Sequence, residues 1–88
     1  MHTYHLMGIL ISKRHACANT VQDILTKHGC IIRVRLGLHD GVGDACTEEG
    51  LVILQLAGEI AEINTMRDEL NAVTGVTAEV LKLEAKQS

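Results

Sequence analysis

The run Leu6-Met7-Gly8-Ile9-Leu10-Ile11-Ser12 and its counterpart Leu51-Val52-Ile53-Leu54-Gln55-Leu56-Ala57 decide the fold. Each is an apolar segment of strand length, and each is followed 25 residues on, at Ile31 and at Val76, by another. Between the members of each pair, apolar residues recur at helical spacing. Strand, helix, strand, twice over in 88 residues, predicts an α+β domain of order βαββαβ. Two helices then cover one face of a four-stranded antiparallel sheet.

Working outward, Tyr4–Ser12 is nearly all apolar around Gly8, which predicts a central strand covered on both faces, with Gly8 marking a close approach or a twist. Cys17, Val21, Ile24, Leu25 and His28 form the apolar stripe of the first helix, with Asn19, Gln22, Asp23 and Lys27 on its other side and Gly29 where a C-terminal cap belongs. In Ile31–His39 the period becomes two. Ile32, Val34, Leu36 and Leu38 are expected to face the core, while Arg33, Arg35, Gly37 and His39 face outward beside Leu51, Ile53 and Gln55. Asp40–Gly50, with three glycines and four acids, is expected to be a flexible or ligand-ordered loop. Gly58 precedes a second helix with the stripe Ile60, Ile63, Met66, Leu70 and Val73, ending at Thr74–Gly75. Val76–Leu83 is the last strand and Glu84–Ser88 a polar tail.

Composition bounds the function. The hydrophobic share of 47% suffices for one core, built without Phe or Trp and with Tyr4 as the single aromatic. A sheet without exposed aromatics lacks the platform on which single-stranded RNA is read, and a net charge of −3 repels a polyanion. Direct nucleic-acid binding is therefore not expected. Three cysteines, at 17, 30 and 46, make an odd set without paired spacing, which suits free thiols in a reducing compartment. No apolar run approaches the roughly 20 residues that span a bilayer, and the N-terminus lacks a signal-peptide layout. A cytoplasmic protein with no membrane contact is expected. The mixed apolar face around Leu51 and Ile53 calls for a cover, so a homodimer or homotetramer is expected, with an ordinary monomer surface as the alternative.

Arg35-Leu36-Gly37-Leu38-His39, Cys46 in the loop that follows, the strand Gly50-Leu51-Val52-Ile53-Leu54-Gln55-Leu56 and the turn Val73-Thr74-Gly75-Val76 together resemble a small family. It comprises regulators of the iron-only hydrogenase system, ACT-like ferredoxin-fold proteins similar to the C-terminal domain of nickel-responsive regulators. The likeness covers about residues 4–84. It implies a ferredoxin-like fold and an oligomeric regulatory module that binds a small molecule or metal at or near subunit contacts, linked to hydrogenase or redox metabolism.

The predicted topology gathers His15, His39 and Cys46 at one end of the domain, with Asp40 and Asp44 close in sequence. Two imidazoles and a thiolate suit zinc, nickel or copper, although none of the spacings is a recognised metal motif. His15 reads equally as a first-turn surface residue, His39 as a solvated strand end, and Cys46 as a thiol without a role. Cys17, His28 and Cys30 read as core residues. Arg33 and Arg35 share a predicted face and can bind an anion or a partner's carboxylate. Ser12, Lys13 and Arg14 open a helix whose free N–H groups also favour an anion, and the ACT-like resemblance makes that loop a ligand site. Ser12 has no evident base and no phosphate-cradling glycine pattern occurs, so a non-catalytic module is expected. The alternatives are an assembly subunit that contacts another protein without a ligand, and, more remotely, an acylphosphatase-like hydrolase with Arg14 in its first loop.

Overall fold

The computed structural model describes residues 3–12, 14–38 and 50–86, the side chains of 14–18 and 38 excepted. Its elements run β1 (Thr3–Ile11), α1 (Arg14–Lys27), a 3-10 turn (Gly29–Ile31), β2 (Ile32–Leu38), β3 (Gly50–Leu56), α2 (Ile60–Asn71) and β4 (Val76–Glu84). The sheet order is β2-β3-β1-β4 and every pairing is antiparallel. This is the ferredoxin-like α+β fold that the two repeats predict.

Strand β1 lies inside the sheet between β3 and β4. Met7, Ile9 and Ile11 point to the helices and are buried with Leu54, Leu56, Val76 and Ala78 from the flanking strands. From the helices, Val21 and Leu25 of α1 and Ile63, Met66 and Leu70 of α2 close that core. It contains no aromatic ring, and the unbranched Met7 and Met66 pack without any exposed surface. Two outer members of the helical stripes behave differently. Ile60, at the first turn of α2, is half exposed, and Val73, beyond its last turn, packs only at the margin of the core.

Several expectations are corrected here. Strand β1 is covered on one face only: among the described residues Tyr4 and Leu10 on its other face remain exposed. Gly8 is not a close approach, since a Cβ there would meet nothing within 4 Å. Gly29 does not cap α1 in the left-handed region; it opens the 3-10 turn, in which the Ile31 N–H donates to the His28 carbonyl at 3.1 Å. Cys30, in that turn, is exposed rather than buried, because only Ile31 of the three turn residues reaches the core. The glycine whose conformation is required is Gly58, with φ +103°, where a Cβ would sit 2.7 Å from Cγ2 of buried Ile31. Gly75 also takes a positive φ, of 85°, in the turn that leads from α2 into β4.

The exposed edge of β4 has its own cover. Asn71, the last residue of α2, donates from Nδ2 to the Ala78 carbonyl at 2.9 Å and accepts from the Ala78 N–H at 2.8 Å. A side-chain amide thus occupies the place that a further strand would take.

Candidate functional site

Among the described residues, two surfaces and one interhelical cluster bring together side chains capable of binding. The first surface arises from an irregularity in β2. Ile32 pairs with Leu56 and Val34 with Gln55, so Arg33 is the extra residue of a bulge. From there the alternation is inverted, because one extra residue moves every later side chain to the opposite face. Arg35 lies opposite buried Leu54, and Leu36 opposite Ile53. Val34 and Leu36, expected in the core, are 52% and 53% exposed on the outer face. Arg33, left out of the pairing, and Arg35 are therefore no longer alternate residues of one regular strand, and their surroundings differ. Arg35 turns toward α1, where its Nη2 donates to Gln22 Oε1 at 2.8 Å. Arg33 lines a hollow of about 400 Å³ at the corner where β1 and β2 begin and β3 ends. Thr3, Tyr4, His5 and Gln55 share that lining, Gly58 forms part of its wall, and no lining residue is acidic.

The remaining residues singled out for an anion or a metal lie toward the other end of the sheet. Ser12 follows β1, where Ile11 pairs with both Gly50 and Val76. Its hydroxyl donates to the Gly75 carbonyl at 3.0 Å and its N–H to the same oxygen at 2.8 Å. At about 3.4 Å per residue, the length of β1 separates Ser12 from the Arg33 hollow by roughly 25 Å, so the two are separate places. Arg14 and His15 are in the first turn of α1, which places them at the Ser12 end. His39 and Cys46, like Asp40 and Asp44, lie outside the described residues. The end of β2 does run beside the start of β3, through the pair Leu38 and Leu51, as the expected gathering of these residues requires. Among the described residues no group of three or more His, Cys, Asp or Glu is arranged to hold a metal ion.

The interhelical cluster was only half legible from the stripe of α1. His28 is buried, as its position predicts, but it is paired rather than merely packed. Its Nδ1 lies 3.1 Å from Glu62 Oε2 and its Nε2 2.8 Å from Glu69 Oε1, both carboxylates coming from α2. Lys27 Nζ reaches Glu69 Oε2 at 2.6 Å. Ionised carboxylates only accept, so both imidazole bonds are made when the ring carries two protons and one is made when it carries one. Hydrogen bonds from Lys27 and then His28 hold the Glu69 carboxyl below its ordinary value. The carboxylates approach opposite edges of the ring, which makes this a strap between helices and not a converging metal site.

The second surface is the outer face of the sheet. Across it the pairings set Val34, Gln55, Leu6 and Leu81 in one row and Leu36, Ile53, Gly8 and Glu79 in the next. Leu51, Leu10 and Thr77 follow on one side, and Tyr4 lies beside Leu83 on the other. Leu81 is 55% exposed, and Tyr4, Leu10, Leu51 and Leu83 are also exposed. At Gly8 the face is dented by a shallow apolar hollow of about 330 Å³ bounded by Leu6, Ile53, Glu79 and Leu81. Strands of seven to nine residues at about 3.3 Å per residue and about 4.8 Å apart give this face a flat area of about 500 Å². Its apolar share, less Gln55, Thr77 and Glu79, is of the size of the largest apolar patches that monomers expose, about 300–600 Å².

The fold and these surfaces define a small ferredoxin-like α+β domain with a bare apolar sheet face and a donor-rich corner. No protein-family description and no curated protein matches the chain. Solved structures do. The uncharacterized protein TM1266 from Thermotoga maritima superposes with a TM-score of 0.80 at 17% identity, over 94% of this chain and all of that one. A structure of CPII from Thiomonas intermedia K12, bound to ADP, AMP and acetate, superposes with a TM-score of 0.58 at 11% identity, over 98% of this chain and 91% of that one. At such identities the likeness establishes the fold. Among the described residues no helix is long and apolar enough to cross a membrane.

Proposed function

We propose that this protein is a non-catalytic regulatory module that associates with copies of itself through the outer sheet face and binds a small ligand. One observation carries the reading. The bulge in β2 adds Val34 and Leu36 to a face that already presents Tyr4, Leu10, Leu51, Leu81 and Leu83, so most of one side of the sheet, Gln55, Thr77 and Glu79 apart, is apolar and, among the described residues, uncovered. A second copy is the occupant with matching chemistry. It offers the same aliphatic face, and an isologous contact excludes water from both at once. The flat area of about 500 Å² becomes larger when its corrugation is counted, approaching the roughly 800 Å² that each partner contributes to a standard interface.

Ligand binding is supported by the donor-rich corner around Arg33 and by the fold shared with a protein whose structure holds ADP, AMP and acetate. The motifs at residues 35–39, 50–56 and 73–76 add the affiliation with regulators of the iron-only hydrogenase system, and with it a role in redox metabolism in the cytoplasm. On that affiliation a zinc or nickel ion held by His15, His39 and Cys46 is the second reading of the ligand. Native mass spectrometry of protein purified without chelator tests the proposal in one spectrum. The expected result is a dimer or tetramer with a retained small molecule or metal. A bare monomer at every accessible concentration overturns it.

A further inference from the structure

We infer that the corner hollow around Arg33 is a binding site for a small organic oxyanion carried on a flat ring, a carboxylate or a phosphate monoester. This rests on the ligand-binding part of the proposed function and names the ligand class, and it is independent of self-association, because the hollow lies at the strand ends and not in the middle of the outer face. Its volume of about 400 Å³ lies within the roughly 300–1,000 Å³ of small-molecule pockets. Thr3, Tyr4, His5, Arg33 and Gln55 all bring side chains that can donate hydrogen bonds, and none of the lining residues brings a carboxylate.

Arg33 is the anchor. Among the described residues it has no hydrogen-bond or ion-pair partner, in contrast to Arg35 on Gln22 and Arg67 on Asn64 and Asp68. It reaches the hollow because the bulge takes it out of the strand's alternation, a use to which bulges beside sites are put. The planar guanidinium fork matches the two oxygens of a carboxylate or phosphate. Nearby, Glu84, opposite Thr3 on β4, is drawn to Lys82 at 3.6 Å. The wall at Gly58 stays bare by necessity, since a Cβ there would collide with Ile31. Tyr4, the single aromatic of the chain, is half exposed at the rim and offers a ring face for stacking.

The test is a titration of isotope-labelled protein followed by amide shifts, with benzoate, phenyl phosphate, acetate and phenol as separate probes. Benzoate or phenyl phosphate should move the amides of Tyr4, Arg33, Gln55 and Gly58, and the tighter of the two names the anion. Acetate, lacking a ring, should bind more weakly, and phenol, lacking the charge, should leave those amides in place. Arg33→Gln should weaken the tighter probe by about tenfold or more, while unchanged strand amides show that the exposed substitution leaves the fold intact. Tyr4→Leu should weaken it by a smaller factor. No movement at these amides with any probe at about 10 mM, equal binding by Arg33→Gln, or shifts confined to Ser12 and Gly75 at the other end would each overturn the inference. A monomeric wild type would refute the self-association reading alone and leave these shifts in place.

Discussion

The two faces of the sheet are made of nearly the same residues and are treated in opposite ways. On one, Met7, Ile9, Leu54 and Leu56 lie under α1 and α2 and are buried. On the other, Leu10, Leu36, Leu51 and Leu81 carry equivalent side chains that, among the described residues, stay exposed. Two helices are enough for one face only, so an apolar residue in this sheet reports that it will be covered and not by what. The helix face is completed within the chain. The outer face is completed, on the proposal above, by a second copy.

The contrast is sharpest in truncations. Leu70→Ala, which opens a cavity between α2 and the sheet, should cost about 2–5 kcal/mol, whereas Leu36→Ala in dilute monomer should stay within about 0.5 kcal/mol. Urea unfolding at low protein concentration separates them, and similar losses at both sites would erase the distinction between the faces. Next in size is Gly58→Ala. It combines a left-handed φ with a contact on a buried, β-branched neighbour, so a loss of about 1–3 kcal/mol is expected by the same assay.

How far these faces could be read in advance depended on range. The repeat of apolar runs gave all four strands and both helices, because strand and helix periods are local and this sequence obeys them. The assignment of β2 failed at one residue. Ile32-Arg33-Val34-Arg35-Leu36 alternates without a break, and nothing local announces that Arg33 will be left unpaired; the bulge becomes visible only against β3. That single irregularity separated Arg33 from Arg35 and turned two aliphatics outward. His28 was legible as a buried position, but its partners are 34 and 41 residues away on another helix. The hollow at Arg33 was illegible for the same reason, being assembled from the starts of two strands and the end of a third. Of the metal candidates, His39 and Cys46 lie outside the described residues.

Two smaller effects refine the comparison at its margins. Asn71→Ala removes both bonds to Ala78 and uncovers the edge of β4, at an expected cost of about 1 kcal/mol; faster hydrogen exchange at the Ala78 amide should accompany it. The strap between the helices gives a pH dependence on the covered face alone. Because hydrogen bonds from Lys27 and His28 hold the Glu69 carboxyl below its ordinary value in the folded state, the stabilisation is present above the unfolded value and is lost as pH falls through the lower, folded one. Thermal unfolding between pH 6 and 3 should therefore decline less steeply in Glu69→Gln than in wild type, by about a few degrees at most given the exposure of the pair. Identical acid limbs would remove the strap from the account.

Sedimentation equilibrium of wild type and Leu36→Lys at matched concentrations shows whether a second copy covers the outer face. Leu36 is half exposed in the single chain, so lysine there is tolerated by the monomer, but within a subunit contact it buries an unpaired charge. Wild type should sediment as a dimer or tetramer at micromolar concentration, and Leu36→Lys, with an unchanged circular dichroism spectrum, as a monomer. A wild type that is monomeric throughout, or a Leu36→Lys variant that assembles as wild type does, would contradict cover by a second copy.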